Sequence, residues 1–175
     1  MKESLSALLK LLRITAPDAT KLRGKGFGCD IYQLEHDALD EAASALHSAG
    51  GFDTLETIIA CDPAPLNENG YLLALGTHPR HPKETPAKLE LTYIFSSSSG
   101  GTRAALRTVI SQPDLKAPSL SSIYPAADLP EREIHDLYGV AFTGRETPRL
   151  LAPDNTRGYP LRRGYTHEPD LLDGQ

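Results

Sequence analysis

Three consecutive stretches read as strand, loop and returning strand: Leu89-Glu90-Leu91-Thr92-Tyr93-Ile94-Phe95, Ser96-Ser97-Ser98-Ser99-Gly100-Gly101, and Thr102 to Ile110. Leu89, Leu91, Tyr93 and Phe95 fall on one face, with Glu90 and Thr92 on the other, the period-two pattern of a half-buried strand. On the return, Ala104, Leu106, Thr108 and Ile110 share a face, while Arg103, Ala105, Arg107 and Val109 share the opposite one. The serines and glycines between them suit a hairpin loop, because glycine accepts turn dihedrals and serine hydroxyls bond nearby backbone. A hairpin with an apolar face must be covered by another layer, so the fold class turns on what the rest of the chain supplies.

Working outward, the chain supplies helices. Leu5, Leu8, Leu9 and Leu12 recur at helical spacing over residues 4–12, and Pro17 closes that segment. Lys21–Gly26 is a basic, glycine-rich connection whose glycines do not match Gly-x-Gly-x-x-Gly, so a turn is expected there and not a phosphate cradle. Phe27–Leu34 is expected as a strand. Asp37 is placed to cap a helix running through Ala49, with Leu39, Ala42, Ala43, Leu46 and Ala49 on its buried face and Gly50-Gly51 as its stop. The period of Phe52–Cys61 is ambiguous between helix and strand. Residues 62–88 are broken by five prolines around one short apolar run, Tyr71–Leu75, read as a strand; 79–86 reads as a loop. Asp128-Leu129-Pro130-Glu131 opens the next helix with a capping-box pattern, proline in the first turn, and Gly139 ends it. Ile134, Leu137 and Tyr138 form its apolar stripe; Glu131, Arg132, Glu133, His135 and Asp136 form a charged face. Prolines at 148, 153, 160 and 169 exclude long regular elements afterwards. The expected fold is α+β: helices packed on a mostly antiparallel sheet over residues 1–142, then an extended tail over 143–175.

Glu131-Arg132-Glu133, followed by Asp136-Leu137-Tyr138-Gly139-Val140 and Phe142, resembles the signature of the C subunits of respiratory complex I, the NADH-quinone oxidoreductase. Relatives of those subunits also occur in energy-converting membrane-bound nickel–iron hydrogenases. Pro118-Ser119-Leu120, Ile123-Tyr124-Pro125-Ala126-Ala127, Pro148-Arg149-Leu150-Leu151 and Gly158-Tyr159-Pro160-Leu161-Arg162-Arg163 extend the resemblance on both sides. It is close over about 118–165, looser back to about Phe52, and favours a strand for Phe52–Cys61. Three departures stand out, the first being the proline-rich stretch at 79–88, which has no family counterpart. Gly144 is followed by Arg145-Glu146-Thr147-Pro148 where the family has Gly-His-Pro, and Arg162-Arg163-Gly164-Tyr165 replaces Arg-Lys-Asp-Phe.

Composition narrows the rest. A chain of 175 residues with net charge −5 has no strongly basic surface for nucleic acid. Its mean hydropathy is −0.33, and no apolar run approaches the ~20 residues of a membrane span. The start lacks the pattern of a secretory signal. Cys29 and Cys61 form no Cys-x-x-Cys, which suits a reducing compartment and excludes a cluster held by four local cysteines. His78 and His81 are the only histidines close in sequence, and two loop ligands fall short of a structural zinc site. No Gly-x-Ser-x-Gly is present. Glu131, Glu133 and Asp136 could serve acid–base chemistry in a small stand-alone enzyme. Against that stand the helix dipole, which favours acids in a first turn, and the exposed i,i+4 pairs Glu131–His135 and Arg132–Asp136.

The resemblance implies a non-catalytic peripheral-arm subunit that holds no metal or cofactor of its own. It would brace a D-like large subunit, the one with the quinone site, beside cluster-bearing subunits; the alternative is the hydrogenase large subunit. The chain would be cytoplasmic and reach the membrane only through the complex. Residues 145–165 carry five arginines against Glu146 and Asp154, and arginine's planar fork suits carboxylate pairing. The residues expected to form the structural and partner-docking signature are Glu131, Arg132, Glu133, Asp136, Tyr138, Gly139, Arg149, Arg162 and Arg163.

Overall fold

The alternation of the hairpin is realised residue by residue. In the computed structural model, β4 (Lys88–Ser96) pairs antiparallel with β5 (Arg103–Ser111), setting Leu91 against Thr108, Tyr93 against Leu106 and Phe95 against Ala104. All six are buried. Residues 10, 12, 14–22, 28–49, 51–63, 88–111, 113–153, 156–162 and 165 are described. The expected strand at Tyr71–Leu75, the loop at 79–86, His78, His81, Arg163, and most of the 4–12 and Lys21–Gly26 segments lie outside them. Of the first helix, Lys10 and Leu12 are described as helical, and Leu12 is buried.

Around the hairpin stand β1 (Thr20–Lys21), β2 (Ile31–Gln33) and β3 (Thr54–Cys61), in the order β1-β2-β5-β4-β3. Every neighbouring pair is antiparallel except β2 and β5, which run parallel. The sheet is therefore mixed and mostly antiparallel, and the fold is α+β. The ambiguous period of Phe52–Cys61 has a structural cause. The register against β4 shifts between Leu55 and Thr57, so Glu56 is an extra residue. That bulge turns Leu55 and Ile58, three apart, to the same buried side.

Helix α1 (Leu39–Ser48) and helix α2 (Asp128–Tyr138) cover the inner face. Leu39, Ala42, Ala43 and Leu46 of α1 and Ile134 of α2 join one cluster with Leu91, Tyr93, Phe95 and Leu106. The α1 start differs from expectation. His36–Ala38 forms a 3-10 turn, so Ala38 before α1 is already helical and no side chain caps it. Ala49 lies one residue past the helix and is exposed. Tyr124 ties the layers together: its hydroxyl donates to the Phe52 carbonyl at 2.8 Å, and its ring meets Phe95 and His47 at 5.1 Å.

The strands β6 (Lys116–Pro118) and β7 (Ala141–Thr143) form a separate parallel pair. Helix α2 is the crossover between them. Both ends of α2 are thereby tethered, and the chain after β7 is delivered back alongside it. Truncating the centre of the sheet tests the core: Leu106→Ala is expected to lower unfolding free energy by about 2–5 kcal/mol, read by chemical denaturation.

Candidate functional site: helix α2 and the tail laid along it

Helix α2 has three faces with different duties. The inner face carries Ile134 and Tyr138 against the core, and also Glu131, whose exposure is 0%. Glu131 does not close a capping box, nor does Asp128 cap the helix. The 3-10 turn Pro125–Ala127 runs directly into α2, leaving Ala127 before the helix in helical conformation with no side-chain cap. Glu131 instead points back to the turn before it. One carboxylate oxygen accepts the Leu120 N–H at 2.7 Å and the other accepts the Ser119 hydroxyl at 2.6 Å. Arg145 lies 3.6 Å from the second oxygen. Burial drives the Glu131 carboxyl upward; Ser119, Leu120 and Arg145 pull it down, Asp128 adds an upward push, and the net direction is up.

The second face is the stripe Asp128, Arg132, Asp136, each four residues on, so the three line one side. The tail follows it in the same direction. Arg145 pairs with Asp128. Arg132 donates to the carbonyls of Pro148 and Arg149 at 3.4 and 3.5 Å. Asp136, 1% exposed, accepts three successive N–H groups on one oxygen: Leu150 at 3.1 Å, Leu151 at 2.7 Å and Ala152 at 2.7 Å. Its other oxygen makes no hydrogen bond but faces the Arg149 guanidinium at 3.6 Å. Burial pushes this carboxyl up, and the N–H groups of Ala152, Leu151 and Leu150 with Arg149 together outweigh it, so it lies below the usual carboxylate range. The expected pairs Glu131–His135 and Arg132–Asp136 do not form. Glu131 and Asp136 are buried by other partners, Arg132 is occupied by the tail, and His135 Nδ1 sits 2.8 Å from the Val140 carbonyl.

At the helix end the tail closes over α2. Gly139 has φ of 70°, the left-handed conformation that glycine adopts most readily. A Cβ there would overlap the Tyr159 ring. The Leu161 N–H donates to the Leu137 carbonyl at 3.1 Å, and Arg162 donates to the Tyr138 carbonyl while stacking 4.7 Å from the Tyr159 ring. These donors satisfy carbonyls that a helix C-terminus leaves open.

Of the residues expected from sequence, the structure thus gathers Glu131, Arg132, Asp136, Tyr138, Gly139, Arg149 and Arg162 into one assembly of helix and tail. Glu133 stands apart: it is exposed on the third face and makes no hydrogen bond or ion pair among the described residues. The carboxylates of Glu131, Glu133 and Asp136 do not converge. Sequence reasoning did not single out Ser119, Arg145 or Tyr159 as site residues, nor the N–H groups of 150–152. The spacing of 128, 132 and 136 bears on Arg145 and on the N–H groups of 150–152, and nothing local to the chain signals Ser119 or Tyr159. A cavity of about 390 Å³ opens elsewhere, beside the hairpin loop, lined by Gly28, Glu56, Ser96, Ser97, Gly101, Thr102 and Arg103. Among the described residues no three His, Cys, Asp or Glu are grouped to hold a metal ion, and no helix is long and apolar enough to cross a membrane.

The family model described as respiratory-chain NADH dehydrogenase, 30 Kd subunit, matches residues 32–170. The chain belongs to that family, which comprises the C (or J) subunits of complex I. It is 33% identical over 153 residues to the J subunit of NAD(P)H-quinone oxidoreductase from the organellar chromatophore of Paulinella chromatophora, covering 85% of this chain and 75% of the relative. Against the C/D subunit of NADH-quinone oxidoreductase from Chromohalobacter salexigens it is 37% identical over 81 residues, 46% of this chain and 14% of that one. Among solved structures, a chain of the membrane-bound sulfane sulfur reductase, an archaeal respiratory membrane complex, superposes with a TM-score of 0.66 at 25% identity, over 93% of this chain and 86% of that one. A trypsin-resistant fragment of Nqo5 shares the fold with a TM-score of 0.59 at 23% identity, over 84% and 99% of the two chains.

Two measurements check the geometry. Gly139→Ala meets both a left-handed backbone and the Tyr159 ring, so a loss of about 1–2 kcal/mol or more and faster tryptic cleavage after Arg157 and Arg162 are expected. Glu131 tests the sign of burial. Its raised folded-state pKa means the folded protein binds the proton more tightly than the unfolded one, so Glu131 lowers stability as pH rises through that raised value. Glu131→Gln removes this dependence. The stability of the variant relative to wild type should therefore rise from the acidic side toward neutral pH, measured by thermal unfolding across a pH series; a flat difference would show that burial does not dominate.

Proposed function

We propose that this chain is a non-catalytic peripheral-arm subunit of a membrane-bound, complex I-like NADH-quinone oxidoreductase. It braces the large subunit that carries the quinone site, beside cluster-bearing subunits, and holds no cofactor itself. The observation that carries this reading is the use made of the signature: Glu131 and Asp136 take backbone and hydroxyl donors from two loops of the same chain, which is structural work. A general acid or base needs reach to a substrate proton, and neither carboxylate has an open approach. The joined C/D designation of the Chromohalobacter relative supports a D-like large-subunit partner.

The contribution to mechanism is positional. Electron transfer through clusters in other chains requires those chains to be held in register, and a helix braced on both faces is a stiff element for doing so. Attachment to the cytoplasmic side of the membrane would come through the complex, because no described helix can span it. A second reading, the equivalent subunit of an energy-converting nickel–iron hydrogenase, draws on the likeness to a chain of an archaeal respiratory membrane complex that is named for sulfane sulfur reduction.

Affinity purification through a tag on this chain, from gently solubilised membranes, separates these readings. The expected result is a complex containing a large subunit and iron–sulfur subunits, with NADH-dependent quinone reduction and no nickel. Stoichiometric nickel would favour the hydrogenase reading. Recovery of the chain alone, in the soluble fraction and with an activity of its own, would overturn both.

A further inference from the structure

Resting on that reading, we infer that the surface offered to the large subunit is the outward stripe of α2, Leu129, Glu133 and Leu137, extended by Leu151 and Leu161 of the tail. The arginine tail is the clamp that builds this surface and is not itself the main contact. The occupant is an apolar segment of the large subunit with one basic side chain opposite Glu133.

Exposure and placement point to these residues. Leu129 and Leu151 are each 58% exposed and Leu161 is 51% exposed, among the largest apolar exposures of the described residues. They are not scattered. Leu129, Glu133 and Leu137 are four residues apart and so line one side of the helix. Leu151 is fixed beside them through its N–H on Asp136, and Leu161 through its N–H on the Leu137 carbonyl. Backbone anchoring with the side chain left outward gives a rigid apolar contact that loses little conformational freedom on binding.

Charge settles what the tail arginines do and what occupies the stripe. Arg145, Arg149 and Arg162 already serve Asp128, Glu131, Asp136 and the Tyr138 carbonyl. Glu133, in contrast, has no partner among the described residues and sits between two leucines. A carboxylate desolvated there would be costly without a cation opposite, so the partner supplies one. A second copy of this chain does not fit. Glu133 is the centre of the stripe, and a two-fold antiparallel pairing of α2 with itself would bring two Glu133 side chains face to face.

The test uses the full chain in its native complex, tagged as above. Leu129→Asp, Leu151→Asp and Glu133→Arg should each weaken retention of the large subunit by about tenfold or more, as for central contacts of an interface. Glu133→Gln should weaken it less and reduce the sensitivity of retention to salt. Glu41→Arg, on the exposed side of α1, should change nothing. Since every substituted side chain is exposed, thermal unfolding of the purified variants should match wild type, which separates lost docking from lost folding. Retention of the large subunit by all three disruptive variants at wild-type levels would overturn the assignment while leaving the proposed function standing. A wild-type chain that self-associates through this stripe, with the same variants dissolving the oligomer, would also overturn it. Failure of the wild-type chain to capture a large subunit at all would remove the proposed function and this surface together.

Discussion

One carboxylate oxygen, Oδ2 of Asp136, accepts the N–H groups of three successive residues, Leu150, Leu151 and Ala152. The organisation of the C-terminal third depends on it. A proline-interrupted segment has no ladder of its own and few apolar residues to bury, so its backbone must be satisfied elsewhere. Asp136 provides that at the middle of the tail, Arg132 provides it toward the start, where Asp128 also holds the Arg145 side chain, and the open carbonyls of α2 provide it at the end. The result is a helix held between a sheet and its own chain.

Asp136 and Glu131 show how one chemical group takes opposite electrostatic directions five residues apart. Both are almost wholly removed from solvent. Asp136 receives three N–H donors and a facing guanidinium, enough to favour its charged form. Glu131 receives one N–H and one hydroxyl, its arginine lies at the same 3.6 Å, Asp128 adds an upward push, and burial prevails. Burial pushes either carboxyl upward and the donors oppose it in both, outweighing it only at Asp136. Each ties a loop of the same chain to the helix.

The path of the tail also changes the meaning of its charge. Five arginines in an acidic chain invite an intermolecular role, yet Arg145, Arg149 and Arg162 are engaged within the chain itself. What they achieve is the outward presentation of leucines that would otherwise belong to an unanchored segment. Electrostatics holds the tail against α2, and Leu151 and Leu161 stay exposed on it.

Much of the architecture was legible in the chain. The hairpin, the inward residues of β4, β5 and α1, and the glycine that ends α2 follow from periodicity and backbone sterics, which act between neighbours in sequence. The spacing of Asp128, Arg132 and Asp136 was equally visible. Their partners were not. The bulge at Glu56 that reconciles Leu55 with Ile58, the parallel pairing of β2 with β5, and the contact of Tyr159 with Gly139 all join residues distant along the chain, while the 3-10 turns that displaced the expected caps are local. Local sequence determined which segments are helix, strand or irregular. Only the tertiary structure decided that Glu131 and Asp136 face donors of their own chain while Glu133 faces solvent, because a charged group's role depends on which distant atoms the fold delivers to it.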